Sequence, residues 1–118
     1  GDALAAAASM GDNRCRERGV MIAIIWRYEV EEAHRADFEA AYGPTGDWAR
    51  LFARSGGFRG TELLRAADGT YLTLDIWRAR ADFDAFLAEH GADYEALDVR
   101  AEAWTRCEHP LGDYEVMD

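Results

Sequence analysis

Between residues 21 and 30 the chain reads MIAIIWRYEV, a β-branched and aromatic run in which both parities are largely apolar, the pattern of a strand buried on both faces. Glu31 and Glu32 follow, placing negative charge where a helix N-terminus favours it, and His34, Phe38, Ala41 and Tyr42 then recur at helical spacing. Gly43-Pro44-Thr45-Gly46 must interrupt that helix, because proline removes a backbone donor and disfavours helical geometry in the residue before it. Asp47 is placed to cap a second short helix with Trp48, Leu51 and Phe52 as its buried stripe, closed by Gly56-Gly57.

Two β-rich runs, 58–65 and 70–78, flank Ala66-Ala67-Asp68-Gly69, and the Asp-Gly pair signals an antiparallel hairpin. Asp82 is placed to cap a long helix running to about Ala101, with Phe83, Phe86, Leu87, His90, Tyr94 and Leu97 on one face and a kink at Gly91. A fourth strand is expected within 102–116, around a Pro110 and Gly112 turn. The segment Ile25-Trp26-Arg27 followed by Arg35-Ala-Asp-Phe-Glu-Ala40 is echoed by Ile76-Trp77-Arg78 followed by Arg80-Ala-Asp-Phe-Asp-Ala85. The order βαββαβ predicts an α+β, ferredoxin-like domain: a four-stranded antiparallel sheet with both helix groups on one face.

That architecture leaves the second sheet face bare although its positions are apolar, so a homodimer with sheet facing sheet is expected. The 118 residues suit one domain, residues 21–118, preceded by an extension over 1–20 that mixes small and charged residues without a period. Thirteen arginines, no lysine and 23 acids give a net charge of -10, which argues against nucleic-acid and membrane-surface partners. No apolar run is long enough for a membrane span and Asp2 stands where an export signal needs positive charge, so the expected compartment is cytoplasmic. Cys15 and Cys107 lack metal-site or redox spacing and read as free thiols.

The broken helix at 42–48 (YGPTGDW), the strands GFRGTELLR (57–65) and YLTLDIW (71–77), and the aromatic helix after them resemble the antibiotic biosynthesis monooxygenase family over residues 21 to about 116. The resemblance implies a dimeric α+β barrel and oxygenation of a small aromatic or quinol-type compound by O2 without metal, flavin or other cofactor. Haem-degrading relatives carry an asparagine on the first strand and a tryptophan and an axial histidine on the second helix. Here the first strand has no asparagine, and Phe86 and Ala96 or Leu97 stand at the other two places, which disfavours haem degradation; His90, more than a turn earlier, keeps haem binding open.

Such chemistry needs a dry aromatic pocket and a group that accepts a phenolic proton. Asp75, on a strand parity shared with Tyr71, Thr73 and Trp77, is expected to pair with Arg27 on the neighbouring strand, either to hold a substrate anion or as a structural ion pair or dimer contact. Glu62 would serve as a base if burial raised its pKa, or face solvent or the partner. His34 and His90 would accept a phenolic proton, or sit hydrogen-bonded at a core or helix end, and His109 reads as a loop residue. Trp26, Tyr42, Trp48, Tyr71, Trp77, Phe86 and Tyr94, with Trp104, offer stacking surface for a planar ligand, or simply core. The rival to an enzyme is a non-catalytic dimer that binds a small hydrophobic molecule. Nucleotide-binding, zinc-protease and serine-hydrolase motifs are absent.

Overall fold

In the computed structural model, residues 20–117 are described. The extension expected over 1–20, Cys15 included, lies outside them save for Val20. Strand β1 (Ile22–Val30) leads through a 3-10 turn (Glu32–His34) into α1 (Arg35–Tyr42) and α2 (Asp47–Phe52). Then come β2 (Phe58–Arg65), β3 (Tyr71–Trp77), the long α3 (Arg80–Ala101), a second 3-10 turn (Glu102–Trp104) and β4 (Thr105–Glu115). The four strands form one antiparallel sheet in the order β2-β3-β1-β4, the ferredoxin-like arrangement expected from the sequence.

Strand register decides which side chains meet the helices. Ile22, Ile24, Trp26 and Tyr28 stand opposite Trp77, Asp75, Thr73 and Tyr71, so the even positions of β1 share a face with the odd positions of β3. That face carries the core: Trp77 and Phe38 are fully buried, and Tyr71 and Phe86 nearly so. The first strand is therefore not buried on both faces in the single chain; its odd positions Ile25, Arg27 and Glu29 remain partly exposed.

Local chemistry explains most boundaries. The β2–β3 turn closes with the Ala66 N–H donating to Thr70 O at 2.8 Å, while Asp68 Oδ1 accepts from the Thr70 N–H at 2.9 Å. Gly69 supplies the positive φ (+90°) that this turn needs. Gly46 has a different reason: a Cβ there would lie 2.3 Å from the Ala40 carbonyl oxygen, so only glycine lets the chain pass from α1 to α2.

Four expectations are corrected. Asp47 is the first residue of α2, not its cap; its carboxylate instead accepts from Arg50 and from Arg100 on α3, each at 3.0 Å. Likewise Ala79 stands at the cap of α3, and Asp82, in its first turn, accepts two bonds from Arg78 (3.0 and 2.7 Å). The kink in α3 falls at His90 (φ -119°, ψ 22°), one residue before Gly91. Finally, Pro110 and Gly112 do not turn the chain: β4 runs through them, with a register shift opposite Ile25/Trp26. An edge strand tolerates proline because its missing N–H can face away from the ladder.

Candidate active site

Under the helices the sheet carries a cleft. Its floor consists of Trp26 and Tyr28 from β1, Thr61 from β2, Thr73 and Asp75 from β3, and Glu108 from β4. Tyr42, Trp48 and Phe52 from α1 and α2, with Tyr94 and Asp98 from α3, close it from above. The rings pack on one another: centroids lie 5.0 Å apart for Tyr28 and Tyr42, 5.9 Å for Tyr42 and Trp48, and 5.1 Å for Trp48 and Tyr94. This packing leaves about 30 Å³ of cavity, room for a water molecule or two rather than for an aromatic ring. Counted out to its open side, the cleft encloses about 400 Å³.

Asp75 is the chemically distinctive group. Thr61 Oγ1 donates to its Oδ1 at 2.7 Å, and pairing of Thr61 with Asp75 across β2 and β3 fixes that contact. Burial disfavours the charged carboxylate and pushes its pKa from 3.8 up to about 6, against the smaller opposing effect of the Thr61 hydrogen bond. Such a group is mostly ionised at neutral pH yet basic enough to accept a proton from an acidic substrate. Burial, chiefly, also raises the Tyr28, Tyr42 and Tyr94 phenols well above their usual value, so they remain protonated. The Trp48 indole N–H is close enough to Tyr42 to oppose that rise slightly, yet makes no aligned hydrogen bond. The cleft thus offers the raised Asp75 carboxylate beside those of Asp98 and Glu108, neutral hydroxyl donors and an indole donor without a partner among the described residues.

The expected pairing of Arg27 with Asp75 does not occur. Arg27 stands opposite Leu72 and His109 on the uncovered face, where its Nη2 lies 3.5 Å from Glu29, whereas Asp75 faces the helices. Glu62 is opposite Leu74, also on the uncovered face. His90 packs beside Phe86 with ring centroids 5.3 Å apart and does not line the cleft. His34 lies 3.9 Å from Asp37. His109 is a strand residue rather than a loop residue.

Of the aromatic candidates, Trp26, Tyr42, Trp48 and Tyr94 line the cleft, while Tyr71, Trp77 and Phe86 are packed into the core beside it. Sequence reasoning missed Tyr28, Phe52, Thr61, Thr73, Asp98 and Glu108. Among the described residues no arginine lines the cleft, so stabilisation of an anion there rests on neutral donors. A second, more open groove between α2 and α3, about 350 Å³ on the measure that gives the cleft 30 Å³, is lined by Arg50, Arg54 and Arg100, each already paired with Asp47 or Asp93.

No family model matches the chain, and no curated protein sequence matches it. Solved structures do. SnoaB, a cofactor-independent oxygenase from Streptomyces nogalater, is 25% identical, with 84% of this chain and 95% of that one covered at a TM-score of 0.62. A candidate antibiotic biosynthesis monooxygenase from Nitrosomonas europaea superposes at 0.66 with 18% identity, over 87% and 96% of the two chains. A protein from Shewanella oneidensis superposes at 0.58 with 18% identity, over 86% and 95%. The domain is similar, in fold and over nearly the whole length of these neighbours, to antibiotic biosynthesis monooxygenase-like proteins.

Proposed function

We propose that the protein is a monooxygenase that oxidises a small, electron-rich aromatic or quinol-type compound with O2 and without a cofactor. The observation that carries the reading is Asp75: a carboxylate with a pKa near 6, held by Thr61 in an aromatic cleft. The similarity to a cofactor-independent oxygenase supports the same reading.

In this scheme Asp75 takes the acidic proton of the substrate. The resulting anion transfers an electron to O2, and the radical pair combines to a peroxide that takes the proton back from Asp75; cleavage of the O–O bond with loss of the remaining hydrogen on that carbon releases water and leaves a new carbonyl. The substrate supplies every electron, one oxygen atom enters it and the other leaves as water. Trp48 N–H and the protonated tyrosines would donate to the substrate oxygen, a role suited to neutral groups where no cation among the described residues lines the site. Entry of a ring requires the side chains above the cleft to swing outward, since the closed cavity holds only water.

The reading includes a homodimer. Ile25, Leu72, Leu74 and Ile76 lie on the uncovered sheet face with Leu64 and Tyr114, the last two 45% and 53% exposed, and a second copy of the face would bury them. The decisive test is oxygen uptake with a panel of quinols and anthrones. Asp75→Asn is expected to lower turnover by about 100-fold or more while the protein remains folded. Tight binding of the same compounds without oxygen uptake by the parent protein would instead identify a carrier.

A further inference from the structure

The uncovered sheet face carries a second cluster of chemistry-bearing side chains, remote from Asp75. Cys107 stands directly opposite Glu29 across β1 and β4, and His109, two residues along β4 and so on the same face, stands opposite Arg27. One ligand atom from each of Glu29, Cys107 and His109 lies within 4.8 Å of the other two, and His109 Nε2 already sits 3.2 Å from Glu29 Oε2. Cys107 is an exposed free thiol. Among the described residues, no other group of three histidine, cysteine or acidic side chains converges in this way.

We propose that Glu29, Cys107 and His109 form a zinc(II) site. The donor set decides the metal class: a thiolate and an imidazole are poor ligands for magnesium or calcium and good ones for zinc, and a carboxylate completes a three-residue set with a fourth position open to water. A tetrahedral ion needs its ligand atoms slightly closer together than they stand, a movement within reach of side chains on adjacent strands. The net charge of -10 favours cation uptake. Arg27, with Nη2 at 3.5 Å from Glu29, opposes it and must turn aside when the ion binds.

The ion would clip edge strand β4 to β1 beside the register shift at Glu29/Val30. It lies on the opposite side of the sheet from Asp75, so zinc uptake does not depend on that carboxylate, but it shares the face that the proposed homodimer would cover, and the titration is therefore read with sedimentation alongside.

The test uses the full chain, freed of metal under reducing conditions and titrated with Zn2+ against a chromophoric chelator, then with Co2+ as a spectroscopic substitute. One equivalent is expected to bind, with a thiolate-to-cobalt charge-transfer band and a higher melting temperature with zinc than without. Cys107→Ser should abolish the band, Cys15→Ser should leave it, and His109→Gln should weaken zinc binding by at least about tenfold. Arg27→Met should tighten it. The absence of saturable uptake, a band that survives Cys107→Ser or disappears with Cys15→Ser, or a loss below tenfold in His109→Gln would overturn the assignment.

Discussion

The two faces of the sheet are built from the same four strands and have opposite physical characters. Under the helices, Trp77, Tyr71, Phe38 and Phe86 form an aromatic core, and the β3 carboxylate beside them, Asp75, is forced away from its ordinary pKa. On the other face the side chains are mostly aliphatic along β3 and ionic toward the β1–β4 edge, where Arg27 and His109 each contact Glu29. Strand parity creates this division: moving one residue along a strand exchanges a solvent-free environment for an open one. Chemistry that needs a perturbed group belongs on the covered face, and chemistry that needs access belongs on the other.

Side-chain truncation gives the largest test of this contrast. Trp77→Ala, at a fully buried position, is expected to cost about 3–5 kcal/mol in urea unfolding. Leu74→Ala, on the uncovered face, is expected to cost less than about 1 kcal/mol at protein concentrations where the chain is a single subunit. At higher concentration the Leu74→Ala cost should grow, because the proposed homodimer would cover that face; the check is unfolding at several concentrations with sedimentation alongside. A concentration-independent Leu74→Ala effect in a chain that sediments as one subunit would break the dimer reading.

A smaller difference is expected from Asp75 itself. Its pKa is higher in the folded protein than the ordinary 3.8, so folding favours the protonated form. The stability that this preference contributes is fully present below about pH 4 and is lost as pH rises through about 6. The rise corresponds to a penalty on the order of 3 kcal/mol at neutral pH. Asp75→Asn removes the titration, so the variant should gain stability over the parent above pH 6, by less than the full penalty, and lose that advantage near pH 4. Melting curves across this range measure it. A gain in stability paired with a loss of turnover would mark a residue held in place for chemistry rather than for folding; a loss of both would make Asp75 a structural group.

Sequence alone disclosed the architecture because each element carries a local signal: aromatic and β-branched runs, Asp-Gly at 68–69, Pro44 between two helical stripes. The site was only half legible. Parity within β3 correctly grouped Asp75 with Tyr71, Thr73 and Trp77, but which parity of β1 joins them depends on register, and register follows from pairing across the intervening chain. Ile24 stands opposite Asp75, which places Arg27 on the wrong side. A signal existed: grouping the largest aromatics, Trp26 and Tyr28 with Tyr71 and Trp77, on one buried face would have separated Arg27 from Asp75. Asp98 and Glu108 carried no such signal, since acids on a helix or an edge strand are ordinarily solvated.

The finest division of the covered face from the open one lies in the pair Thr61 and Glu62, neighbours in β2 that point to opposite sides. The Thr61 hydroxyl donates a hydrogen bond to Asp75 and holds the carboxylate's pKa below the value that burial alone would set. Thr61→Val keeps the shape and removes the bond, so the acidic limb of the pH–rate profile should move upward, with turnover down about twofold at neutral pH and further at pH 6. Glu62→Gln, one residue along, should leave the limb where it is. The comparison separates a proton held by a positioned carboxylate from a general weakening of the fold, because a destabilised protein loses turnover at every pH while a repositioned pKa loses it on one side only. A limb that stays fixed in Thr61→Val, or moves equally in Glu62→Gln, would remove Asp75 from the role of base.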